Sequence, residues 1–261
     1  RPADAGCLNA LRAAPPINNL TESLFAWDNH TGGNGRDGLW QQAVLRLRKA
    51  HLLADNSTHD SLDAHPLVRE HFAEQLEKEH NSSSVEAHRR LYEHLKSVPK
   101  DEQPDNLNDM MPLYHAVPHG CKAGLWQESY INVYRARILQ GDSQFSPRKL
   151  GAFGSDLSSM ASFFNRKWDE VTTGVDEFVA GSVLSNAAFF LRATGRLSEA
   201  THPIRMGLEI RIGLERWRNA APQASNLSEL SLTLGDVSSA VRQGEQSVEL
   251  ADRSGDAYQR Q

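Results

Sequence analysis

The chain has 261 residues, with 28 basic and 33 acidic side chains and a formal net charge of −5 at pH 7. That length can bury one large core or two modest ones. The acidic balance argues against a general nucleic-acid binder, which carries a strongly basic face, and no run of about 18 apolar residues is present to make a transmembrane helix.

No basic-then-apolar leader opens the sequence, so the expected location is the cytoplasm. The apolar set holds 30 Leu and 28 Ala against 13 Val and 6 Ile. Leu and Ala favour helices and β-branched residues favour strands, so a mainly α fold is expected. Cys7 and Cys121 are too few for a disulfide scaffold and read as reduced thiols. The chain opens at Arg1 without Met and stops in a polar stretch around Ser254–Tyr258. It reads as a piece of a longer protein.

In chain order, Leu8–Leu11 and Leu20–Trp27 can form the first helices. Asn29–Gly38, with four glycines, reads as a flexible loop. Leu39–Leu53 reads as a helix with Trp40, Val44, Leu47, Leu52 and Leu53 on one face. A polar turn at 55–60 follows, then Leu62 and Ala64 alternate as a short strand does. His65-Pro66 opens a further helix carrying Leu67, Val68, Phe72 and Leu76, with Pro66 suited to a first helical position. Helix, short strand, turn, short strand, helix is a winged-helix plan. Glu70–Glu102 reads as two amphipathic helices around a loop at His80–Ser84. Residues 97–109 hold two prolines, many charges and no apolar periodicity. The expected organisation is a winged-helix-like domain with connecting helices over 1–98, a linker over 99–109 and a helical array over 110–261.

The C-terminal half repeats itself. A shift of 40 residues aligns Ser185 with Ser225, Asn186 with Asn226, Gly195 with Gly235, Ser198 with Ser238, Ala200 with Ala240 and Glu209 with Glu249. Each of the two glycines ends one apolar-periodic stretch, as a glycine at a helix C-terminus does. Each alanine follows five residues later, where two helices can approach closely. This unit resembles the tetratricopeptide repeat, with Leu184, Ala187, Ala188 and Leu191 lining its first helix and Ala200 and Ile204 its second. The period is longer than the usual ~34 residues, and the closing Pro of that repeat is absent. A third copy is expected at Leu113, Ala116, Val117 and Gly120, with Gly124 at the turn and Ser129 in place of the usual Ala. A helix over Leu150–Phe164, bearing Leu150, Phe153, Leu157, Met160 and Phe164, is expected to break the alternation. The fold class expected is therefore mainly α: a winged-helix domain with a small β-wing, followed by a tetratricopeptide-like α-solenoid.

The run Leu62–Ala73 resembles the Met-His-Asp segment of STAND-class signalling NTPases, the NB-ARC and NACHT groups, in bacterial proteins above all. Lys149–Gly154 and Ala224–Gly235 carry the same resemblance. In that family a winged-helix domain follows the nucleotide-binding core, its motif His approaches the β-phosphate of bound ADP, and a repeat array follows as the sensor. Ala64 and Pro66 stand where the family has Met and Asp, so only His65 carries over, as a nucleotide-state sensor. No G-x-x-x-x-G-K-[S/T] occurs, so no catalytic residue and no cofactor are expected in this chain. ATP or ADP would belong to a core preceding Arg1. The resemblance implies a regulatory, partner-sensing role in stress or antiviral signalling. The implied partners are a protein or peptide in the repeat groove and the NTPase core, with homo-oligomerisation on activation.

Other chemistry is thin. His115 and His119 are four apart, a spacing metals accept, but no third ligand is evident and no metal is expected. Arg46, Arg48, Lys49 and His51 form a small basic cluster that reads more simply as a solvated helix face. The alternatives are a stand-alone tetratricopeptide adaptor and a winged-helix transcription regulator. No ligand-binding residues of the groove can be named from the sequence.

Overall fold

A chain rich in Leu and Ala folds mainly as helices, and the computed structural model, which describes residues 3–23, 35–54 and 61–255, does so. Among the described residues the strands form two small two-stranded sheets, and no helix is long and apolar enough to cross a membrane. The backbone divides into an N-terminal unit, Arg1–Lys100 with Lys122–Gly124, and a C-terminal unit, Asp101–Cys121 with Leu125–Gln261.

In the N-terminal unit β1 (Ala3–Asp4) pairs antiparallel with β2 (Ser61–Leu62), Ala3 opposite Leu62 and Asp4 opposite Ser61. Asp4 then caps α1 (Ala5–Arg12): its Oδ1 accepts the Cys7 backbone N–H at 2.8 Å. The unit continues through α2 (Gly35–Lys49), α3 (Pro66–Glu79) and α4 (Asn81–Ser97). Arg90 of α4 donates to the carbonyls of Ala13 at 2.6 Å and Pro15 at 2.5 Å, fastening the chain as it leaves α1. Ile17, Val44, Ala87, Tyr92 and Leu95 are buried.

Several sequence expectations shift here. Leu62 is in a strand but Ala64 is not, and the partner of that strand is the start of the chain. Asp63 Oδ1 accepts the Ala64 N–H at 2.9 Å and Pro66 has no N–H to continue a ladder. The helix expected over Leu39–Leu53 runs over Gly35–Lys49 instead, and His51, at φ 55°, ends it in the left-handed region. Gly35 and Gly38 are helical rather than part of a loop. The rest of that glycine loop, the turn at 55–60 and the end of the expected Leu20–Trp27 helix lie outside the described residues. The loop expected at His80–Ser84 shrinks to His80 alone. Ser83 and Ser84 are buried in the first turn of α4, where Ser83 Oγ donates to the Asn18 carbonyl at 2.5 Å.

The C-terminal unit opens with a segment that is anchored rather than loose. Buried Arg137 donates to the carbonyls of Glu102 at 2.8 Å and Asp101 at 3.3 Å, and Gln140 donates to that of Pro104 at 2.9 Å. Helix α5 (Leu107–Lys122) buries Leu113, Ala116 and Val117. After Gly124, at φ 78°, a short turn, Trp126–Glu128, runs into a π-helical segment, Ser129–Ile138. A second π-helical segment, Ser146–Leu150, precedes α6 (Phe153–Ala161). The expected Leu150–Phe164 helix is thus shorter: Gly151 at φ 60° separates Leu150 from it. Phe164 leaves to pair with Val171 in the hairpin of β3 (Phe164–Arg166) and β4 (Glu170–Val171), and Phe163 is buried in its place.

Four helices complete the unit: α7 (Glu177–Ala193), α8 (Leu197–Gly213), α9 (Trp217–Thr233) and α10 (Val237–Ser254). Each packs on the next. The bounds of α9 are those of α7 displaced by 40 residues, and α10 begins 40 residues after α8. Gly195 and Gly235 sit between the helices of each pair at φ 76° and 85°. A Cβ on either meets nothing within 4 Å, so backbone conformation alone requires glycine there. The residue after each glycine donates back to an equivalent carbonyl, Arg196 to Leu191 at 2.8 Å and Asp236 to Ser231 at 2.9 Å. Ala200 and Ala240 are both buried, as are Leu184, Ala187, Ala188, Leu191 and Ile204.

Candidate functional site

The clearest concavity of the C-terminal unit is a groove of about 510 Å³ between α7 and α9, floored by Leu197 and Ile204 of α8. Consecutive first helices of a two-helix repeat face the same side, so their side chains converge there. Helix α7 presents Ser185, Phe189 and Arg192; α9 presents Gln223, Asn226 and Glu229. Phe189 is 49% exposed. Apolar periodicity buries its neighbour Phe190 completely, which turns Phe189 outward.

Arg192 spans the groove. Its guanidinium donates to Asn226 Oδ1 at 3.0 Å and to Glu229 Oε2 at 2.6 Å. The Glu229 side chain is 66% exposed, so the ion pair is worth at most about 1 kcal/mol. A ligand carboxylate or carbonyl can therefore replace Glu229 on Arg192 at small cost. Gln223 is fully engaged: its Oε1 accepts from Ser185 Oγ at 3.2 Å and Arg211 Nη1 at 3.1 Å, and its Nε2 donates to the Ile204 carbonyl at 3.3 Å. It fixes the three helices relative to one another. The groove thus offers an open aromatic ring and a displaceable guanidinium over a floor that Gln223 holds rigid.

A second cluster of polar groups lies in the core. Asp156 of α6 is wholly buried and accepts from Tyr114 at 2.9 Å, Tyr134 at 3.1 Å and Ser146 at 3.0 Å. Burial pushes its carboxyl up to about 6, and the three hydroxyl hydrogen bonds pull the other way. Burial and the nearby Asp156 raise both tyrosines above their ordinary value. No ligand reaches a group with no exposed surface, so this network is structural. Cys121 is also buried, which pushes its thiol up and leaves it unreactive.

His65 is exposed and caps α3: its Nδ1 accepts the Leu67 backbone N–H at 3.3 Å, with Pro66 at the first helical position. His115 and His119 lie on α5, and among the described residues no trio of metal-ligating side chains includes them. Of the basic cluster, Arg46, Lys49 and His51 are exposed, whereas Arg48 is half-buried and lines a cleft with Trp40 and Val44. The four do not form a single exposed row.

Compared with protein families, curated proteins and solved structures, the chain matches none. The sequence carries one signal of the groove residues. Phe189 and Glu229 are 40 residues apart, so one position of consecutive units faces the groove with unlike side chains.

Proposed function

We propose that the chain is the regulatory, partner-sensing portion of a STAND-type signal-transduction ATPase, acting in the cytoplasm in stress or antiviral signalling. A winged-helix-like unit precedes a tetratricopeptide-like array that binds a protein or peptide. The observation that carries the binding role is the groove between α7 and α9, with Phe189 open and Arg192 held only by an exposed carboxylate. The tetratricopeptide-like reading is supported by the 40-residue displacement of the helix pairs and by the equivalent turns at Gly195 and Gly235. The winged-helix reading is supported by the short strand before the capped helix α3. The STAND reading rests on the likeness of Leu62–Ala73 to the family's motif segment.

In this reading the array recognises a partner and the N-terminal unit passes the event to an NTPase core, which then oligomerises. His65 senses nucleotide state. Because its Nδ1 accepts from Leu67, the neutral ring carries its proton on Nε2, where it can donate to a phosphate. Joined to a nucleotide-binding core, the His65→Ala chain should raise NTP turnover in the absence of partner. Unchanged basal turnover would remove His65 from the switch.

The groove is tested with peptides selected from a random library on the wild-type chain. Phe189→Ala and Arg192→Ala should each weaken those peptides by about tenfold or more, the size of a modest hot spot, as read by fluorescence anisotropy. Peptides that bind both variants as tightly as wild type would place the binding surface elsewhere.

A further inference from the structure

Among the described residues, three side chains of metal-ligating type converge at the start of the chain: Asp4, Cys7 and His94. One ligand atom from each lies within 4.8 Å of the other two. All belong to the N-terminal unit, far from the groove in sequence, and the proposed function makes no use of them. Asp4 and Cys7 are held together by the cap of α1, and His94 comes from α4, which packs against α1.

Gly6 makes the convergence possible. A Cβ at that position would stand 2.7 Å from His94 Nε2 and 3.3 Å from Asp4 Oδ1. Any larger residue would push the imidazole off the first turn of α1. The glycine therefore opens a cradle in which Nε2 sits beside the carboxylate.

We infer that Asp4, Cys7 and His94 form a zinc site. A thiolate, an imidazole and a carboxylate suit Zn²⁺, whereas Mg²⁺ and Ca²⁺ take oxygen ligands. Ligand atoms around tetrahedral zinc stand about 3.5 Å apart, given metal–ligand lengths of about 2.0–2.3 Å. Separations of up to 4.8 Å close to that distance when side-chain rotations move the ligand atoms by about 1 Å. Zn²⁺ replaces the Cys7 thiol proton, which passes to solvent, and the thiolate and carboxylate then balance the metal's charge. Three protein ligands leave a fourth position for water. Bound metal would tie β1 and α1 to α4.

The test uses the full chain with Co²⁺ and Zn²⁺ alone. Co²⁺ should bind one equivalent and give a thiolate-to-metal charge-transfer band, and Zn²⁺ should displace it. Cys7→Ser should abolish the band. Asp4→Asn keeps the helix cap, so α1 should persist by circular dichroism while Zn²⁺ affinity falls by at least about 100-fold, the upper end for losing a mere outer-shell partner of a ligand. Gly6→Ala should weaken binding through the displaced imidazole, and Cys121→Ser should change nothing. A Co²⁺ complex without the thiolate band, a band that survives Cys7→Ser, or no uptake at all would overturn the site.

Discussion

Asp156→Ala should destabilise the C-terminal unit by about 3 kcal/mol at neutral pH. The substitution leaves the hydroxyls of Tyr114, Tyr134 and Ser146 facing a small cavity. Each buried hydroxyl without an acceptor costs on the order of 1 kcal/mol or more. Asp156→Asn keeps an acceptor oxygen in the same place and, at about pH 4 where the wild-type carboxyl is protonated, should stay within about 1 kcal/mol of wild type. The two variants separate the network from the charge.

The charge has its own signature. Burial raises the folded-state carboxyl to about 6, above the unfolded value of about 4. The contribution of Asp156 to stability is therefore fully present below about pH 4 and is lost as pH rises through about 6. Two pKa steps correspond to roughly 3 kcal/mol. Urea denaturation of wild type and Asp156→Asn should thus diverge between pH 4 and pH 7, with the wild type losing ground as pH rises. Parallel pH profiles would mean that the buried carboxyl titrates normally.

Phe189 and Phe190 should respond differently to the same change. Phe190 has no exposed surface, and its ring meets that of Phe189 edge-on at 5.3 Å. Phe190→Ala opens a cavity and should cost about 3–5 kcal/mol. Leu230 occupies the equivalent place one period later and is 2% exposed, so Leu230→Ala should cost about 2–5 kcal/mol. Phe189, half exposed in the groove, should cost less than about 1 kcal/mol on truncation while impairing partner binding. Equal stability losses at 189 and 190 would show that the ring at 189 serves packing.

The helical repeat was legible because its signals are local. Glycine at a left-handed turn, alanine at a close contact and 3.6-residue periodicity each act within one helix pair, and Gly195, Ala200 and Leu184 sit where those rules put them. The π-helical turns were not legible, since Tyr130 and Tyr134 mark apolar positions in any helix. Asp156 was visible as an acid among Phe153, Leu157 and Met160, yet its partners come from residues 114, 134 and 146, joined only by the fold. The same holds for Asp4 and His94, which are 90 residues apart. A strand at Leu62 was legible, but the alternation with Ala64 does not continue it, and its pairing with Ala3 is a long-range choice. The groove demanded both levels: the period located the helices, and only packing showed that Phe189, Arg192 and Glu229 share one face.

In the proposed function α7 and α9 present a partner-binding groove. Hydrogen–deuterium exchange of the chain with and without a saturating library-selected peptide tests it most directly. Protection concentrated on the segments that carry Ser185–Ala193 and Gln223–Thr233 is the predicted result. Protection confined to the N-terminal unit, or to α10 alone, would contradict it.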